Sequence, residues 1–163
     1  MLGFARRIWV GSVWVMIGLS GVAQAADAPD FSLRMTTGEN LRLSEHRGEV
    51  VMLGFWARWC GDCRQAMQAL SELNQKYART GLVTLGVNVG DTAEQAAAMS
   101  QSLGLSFPTL VDPGRSVGEQ FNLGKMPLIV LLDRDGVVRF SHAGYERGDD
   151  TLVANQLRLL INE

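Results

Sequence analysis

The sequence predicts an α/β fold: a central mixed β-sheet covered by helices on both faces and opened by an N-terminal β-hairpin. Three observations point there. Nearly continuous apolar runs at Val50–Trp56, Leu82–Val89 and 127–132 read as buried strands. Segments with apolar residues at helical spacing lie between them. The last of these runs passes through Asp133-Arg134-Asp135-Gly136 into another strand-like stretch, so an antiparallel hairpin ends an otherwise alternating pattern.

The elements follow in order. Residues 31–33 and 41–43 alternate apolar and polar on either side of Thr37-Gly38-Glu39-Asn40, as the arms of a hairpin do. Val50–Trp56 is apolar enough to be buried on both faces. From Cys63 to Tyr77, Ala66, Met67, Leu70, Leu73 and Tyr77 recur at helical spacing, and Gly81 stops that helix. Leu82–Val89 is the next strand. Thr92 can cap a helix running to about Leu103, with Gly104 at its end. A shorter helix is expected over 113–121, a strand over 127–132 and its partner over 137–141. A final helix over 150–161 puts Leu152, Val153, Leu157 and Leu160 on one face.

Composition sets the compartment. Arg6 and Arg7 precede an uncharged stretch over 8–22, and Ala23-Gln24-Ala25 offers the small-x-small pattern of signal peptidase. The apolar core of about 15 residues falls short of the ~20 a membrane span requires. The reading is a secretory signal at 1–25 and one domain at 26–163, periplasmic and monomeric; an uncleaved membrane anchor is the alternative. The chain of 163 residues carries a formal charge of −2 and no basic run, a poor match for nucleic acid or an anionic membrane. A domain of this length builds its core without disulfide staples.

Both cysteines therefore ask for another explanation. They sit in Trp56-Ala57-Arg58-Trp59-Cys60-Gly61-Asp62-Cys63, between a buried strand and a helix. A Cys-x-x-Cys there places its first sulfur at a helix N-terminus, where the dipole and unpaired amides favour a thiolate. A structural zinc site needs four ligands, yet the sequence has only these two cysteines, and His46 and His142 lack finger spacing. Haem attachment needs a histidine after the second cysteine, where Arg64 stands. A purely structural bridge across so short a loop adds little loop-closure entropy. The pair reads as a redox dithiol, with no metal and no cofactor. His46 and His142 read as structural, Trp56 as core and Lys125 as a solvated charge. Gly86 to Gly90 is no dinucleotide fingerprint, since the third glycine is missing.

Trp-x-x-Trp-Cys-x-x-Cys after a buried strand resembles the thioredoxin superfamily. Its exported TlpA/ResA branch, related to the redoxin and AhpC/TSA proteins, has similar Ala28-Pro29-Asp30-Phe31-Ser32-Leu33, Phe107-Pro108-Thr109-Leu110-Val111-Asp112-Pro113 and Met126-Pro127 elements. The resemblance covers 28–163 and implies a thioredoxin-like fold. It further implies a cis peptide at Met126-Pro127 facing the cysteines, and disulfide reduction outside the cytoplasm, with oxidised exported proteins such as apocytochromes c as substrates. A membrane electron-donor protein would recharge the dithiol. Cys60 would attack a substrate disulfide and Cys63 resolve the mixed disulfide, with Trp59, Met126 and Pro127 forming the substrate-binding surface.

The sequence also departs from that pattern. Thioredoxins carry a buried aspartate six residues before the first cysteine, where this chain has Gly54. Some cytochrome-maturation members carry a glutamate three residues after the second, where it has Ala66. Neither position can take a proton from Cys63. Asp62 opposes a nearby thiolate, and Arg58, Arg64 and Lys125 favour it. A dithiol oxidase or isomerase shares the motif and differs in potential. A peroxidase would want threonine or serine and proline where Ala57 and Leu53 stand. A copper-handling protein would want a longer Cys-x-x-x-Cys loop.

Overall fold

The structure, a computed structural model, describes residues 26–163, so the expected secretory signal at 1–25 lies outside the described residues. A hairpin of β1 (Ser32–Met35) and β2 (Asn40–Arg42) leads through a 3-10 turn, Leu43–His46, into β3 (Val50–Trp56). There follow α1 (Cys63–Tyr77), β4 (Leu82–Val89), α2 (Ala93–Leu103), β5 (Thr109–Asp112) and α3 (Ser116–Gln120). The chain ends with β6 (Leu128–Leu132), β7 (Val138–Ala143) and α4 (Asp149–Asn162).

All the strands join one sheet of order β2-β1-β5-β4-β3-β6-β7. β3 with β4 and β4 with β5 are parallel, and the other neighbours are antiparallel, giving the mixed sheet expected from sequence. Successive side chains of a strand point to opposite faces, so central β3 feeds two cores. Val50, Met52 and Trp56 join Ile129 and Leu131 beneath α1 and α4, meeting Met67, Leu70, Val153 and Leu157. On the other face Val51, Leu53 and Phe55 meet Val117 of α3 together with Phe31 and Leu41 from the N-terminal extension. Met99 and Leu103 bring α2 to the α1 side. Among the described residues no helix is long and apolar enough to cross a membrane.

Local signals fix the boundaries. Thr92 Oγ1 accepts the Gln95 amide at 3.3 Å while Gln95 Oε1 accepts the Thr92 amide at 3.0 Å, a reciprocal cap that starts α2. Gly104 ends α2 at φ +62°, a left-handed conformation that costs glycine little.

The sequence leaves one strand unread and misplaces one leucine. β5 is a fully buried strand between β4 and the hairpin that the apolar pattern does not reveal. It is four residues long and lies between Pro108 and Pro113, too short to show a period. Leu152 is 45% exposed, outside the buried stripe of Val153, Leu157 and Leu160. Those three follow i, i+4, i+7; Leu152 stands about 100° around the helix from Val153.

Asp30 ties the N-terminal extension to the hairpin, accepting from Arg42 Nε at 2.8 Å and the Ser44 amide at 3.0 Å. Burial pushes its carboxyl up, but the Arg42 and Ser44 hydrogen bonds together outweigh this and hold it below the usual value. A depressed folded pKa contributes stability above the unfolded pKa that is lost as pH falls through the folded one. Asp30→Asn is expected to lower the urea-unfolding free energy at pH 7 by up to about 1 kcal/mol. The deficit should close as the pH falls below about 4.

Candidate active site

The site sits where β3 leaves the sheet. Trp56, 1% exposed, closes the strand inside the core, and Ala57 begins a turn in which the Cys60 amide donates to the Ala57 carbonyl at 3.2 Å. Helix α1 starts at Cys63, with Asp62 in the cap position and its carbonyl accepting the Ala66 amide at 3.1 Å. Cys60 thus stands just ahead of the helix instead of at its first residue, and Cys63 opens it. The two are joined by a disulfide, with Cα atoms 5.4 Å apart. Their exposures differ: Cys63 is 2% exposed in the α1 core, whereas Cys60 is half-buried at its margin.

Register brings the proline loop to the same end of the sheet. Leu128 lies across from Phe55, so Met126 and Pro127 sit beside the point where β3 runs into the cysteine turn. The Met126-Pro127 peptide is cis, as the resemblance implied. Pro127 is buried, its carbonyl accepting the Gly144 amide at 2.7 Å, and Met126 packs against the cluster that holds Cys63. Trp59 points outward at 65% exposure, unlike its neighbour Trp56. The two histidines lie elsewhere in bonded positions: His46 Nδ1 is 2.9 Å from Glu49 and His142 Nε2 is 2.7 Å from Gln156.

Packing accounts for both missing acids. A Cβ on Gly54 would lie 2.6 Å from Leu70 Cδ1 and 3.0 Å from Met67 Cε, so α1 occupies the space a side chain would need. Ala66 is completely buried in the same layer. A carboxylate at either position would be desolvated among apolar groups.

One acid near the loop was not placed by the sequence. Asp91, two residues beyond β4 and 5% exposed, accepts the Arg58 amide and Asn88 Nδ2, each at 3.0 Å, and faces Arg58 Nε at 3.5 Å. Asn88 is the β4 partner of Trp56 across the sheet. Asn88 Oδ1 and Trp56 Nε1 are buried without a hydrogen-bond partner among the described residues. A signal existed in retrospect: Asn88 and Asp91 frame Gly90 at the carboxyl end of a buried strand, where loops meet functional sites.

The sequence profile of the AhpC/TSA family matches residues 25–141. The chain belongs to the AhpC/TSA family. This member is 36% identical over 120 residues to the thiol-disulfide oxidoreductase ResA of Geobacillus kaustophilus, covering 74% of this chain and 69% of that one. It is 34% identical over 126 residues to the thioredoxin-like protein YneN of Bacillus subtilis, covering 76% and 74%. Among solved structures, a Chlorobium tepidum protein assigned as the thiol:disulfide interchange protein DsbE superposes with a TM-score of 0.80 at 31% identity, covering 84% of this chain and 96% of that one. A Bacteroides thetaiotaomicron protein assigned as a protein disulfide isomerase gives a TM-score of 0.80 at 28% identity, covering 85% and 90%. The thioredoxin-like fold is thereby established, and this AhpC/TSA member is a thiol-disulfide oxidoreductase carrying its Cys60–Cys63 pair in the disulfide state.

Filling the Gly54 space has an expected cost. Gly54→Ala should lower stability by about 1–3 kcal/mol in urea unfolding of the oxidised protein, because Leu70 and Met67 must repack. Gly54→Asp should cost more, since its carboxylate would be buried unpaired. Combining Gly54→Ala with Leu70→Val should recover part of the loss, and additive losses would show that the contact is not the cause.

Proposed function

We propose that the protein is an exported disulfide reductase, acting in the periplasm through a mixed disulfide between Cys60 and its substrate. The exposure asymmetry of the two cysteines carries the mixed-disulfide reading through Cys60: Cys60 is half-buried beside the exposed Trp59, and Cys63 is 2% exposed. In the reduced enzyme, the Cys60 thiolate attacks one sulfur of a substrate disulfide, and the other substrate sulfur leaves as a thiolate. The Cys63 thiolate then attacks Cys60 Sγ and expels the second substrate sulfur. The substrate gains two electrons and two protons, and the Cys60–Cys63 disulfide forms.

Trp59, Met126 and Pro127 form the surface on which an extended substrate segment rests against the Cys60 turn. An aromatic ring this exposed supplies apolar contact area at low conformational cost. The substrates are oxidised exported proteins, apocytochrome c awaiting haem among them. A membrane electron-donor protein returns the dithiol to its reduced state. The leader at 1–25, read from sequence composition, supports the compartment.

The direction of transfer is tested by equilibrium with glutathione. The expected potential lies nearer the thioredoxin value of about −270 mV than the roughly −120 mV of a strong periplasmic oxidant. A value above about −160 mV would make the protein a dithiol oxidase.

Roles of the sulfurs are tested by trapping. Cys63→Ser in cells should accumulate mixed disulfides with exported proteins on non-reducing gels, and Cys60→Ser should accumulate none. Equal trapping by both variants would refute the assignment. Mass spectrometry of the trapped species would identify the substrate.

A further inference from the structure

Asp91 is a buried acid that the exchange steps leave unused. Val89 ends β4, Gly90 turns at φ +84°, and the Gly90 amide is held by the Asp112 carbonyl at 3.0 Å. That turn carries the Asp91 carboxylate under the cysteine loop. Oδ2 accepts two hydrogen bonds at 3.0 Å, from the Arg58 amide and from Asn88 Nδ2, and Oδ1 faces Arg58 Nε at 3.5 Å. Arg58 is the second residue of the turn that the Cys60 amide closes onto the Ala57 carbonyl. One carboxylate therefore links the end of β4 to both the backbone and the cation of the loop that presents Cys60.

The charges have opposite effects on the sulfur. Arg58, 60% exposed and two residues from Cys60 in sequence, carries charge of the sign that favours a nearby thiolate. Favouring the thiolate stabilises the reduced form and makes a dithiol more oxidising. Asp91 compensates that cation, and because it is 5% exposed its own charge is little screened by water.

We propose that Asp91 is a positioning residue that fixes the 57–60 turn and neutralises Arg58, and so keeps the Cys60–Cys63 couple more reducing than the loop's own arginine would allow. This rests on thiol-disulfide exchange at that pair and holds whichever direction electrons flow in the cell.

Asp91 could instead tether the loop without tuning the couple. Asp91→Asn separates the two, because it keeps a side-chain oxygen for the Arg58 amide and removes the charge. The experiment measures the equilibrium of Cys60–Cys63 with glutathione at pH 7, alongside urea unfolding of each oxidised variant. Asp91→Asn should move the equilibrium about tenfold toward the dithiol, equivalent to about 30 mV upward. Arg58→Gln should move it several-fold the other way. The double variant should return to within about twofold of the parent, because both charges are then gone and Asp62 and Arg64 are unchanged throughout. Single variants that both stay within about twofold of the parent, or that move the same way, would leave Asp91 a tether and overturn the proposal. Should Asp91→Asn not fold by itself, the double variant is read against Arg58→Gln: a shift back toward the dithiol supports the proposal, and no shift overturns it. Only differences between variants enter, so a parent potential in the oxidising range would fail the reductase reading and leave this test intact.

Discussion

The close approach of α1 to β3 is the contact on which the rest depends. Gly54 has no side chain, and Leu70 and Met67 fill the space one would occupy. Gly86, its partner on β4, makes room in the same way for Phe107 and the Trp56 indole. Two glycines paired across the middle of a parallel ladder let a helix and two aromatic rings settle onto the sheet. At the start of the same helix, Cys63 is buried in the core beneath α1. The turn ahead of it must climb back to the surface, which leaves Cys60 at the margin. The difference between the two sulfurs is thus set by packing before any charge acts.

That packing also separates the protein chemically from relatives with a buried acid beneath the second cysteine. The space is apolar and full, so a proton leaving Cys63 has no carboxylate at Gly54 or Ala66 to receive it. Charge enters instead at the rim, through exposed Arg58, Asp62 and Arg64, and from beneath the loop through Asp91. Rim charges are screened by solvent and salt, whereas the buried carboxylate is screened much less. Tuning of this dithiol is accordingly expected to come from the loop's underside.

Much of this was legible in the sequence. β3 and α1 were bounded correctly, because a run of six apolar residues and a glycine marks a buried strand and a five-residue stripe gives a helical period. Thr92 and Gly104 marked α2 because capping is local chemistry written in single residues. β5 escaped because four buried residues between prolines carry no period, and Leu152 because one residue's rotation decides whether a leucine faces core or water. At the site, Cys60 and Cys63 announced themselves by spacing, and Met126-Pro127 by resemblance. Asp91 could not be placed, since its partners Arg58 and Asn88 meet it only after β4 has paired with β3.

The first described residues join the fold at a telling place. Ala26 accepts the Val138 amide at 3.0 Å, and Ala28 donates to Gly136 at 3.0 Å, on the outer side of β7. Val138 is level with Leu132 and so with Val51, near the start of β3, whereas the cysteine turn leaves from its end. The two points are separated by most of a strand length, roughly 16 Å at 3.3 Å per residue. A tether fixed ahead of Ala26 would hold the domain by its base with the disulfide pointing away from the attachment surface.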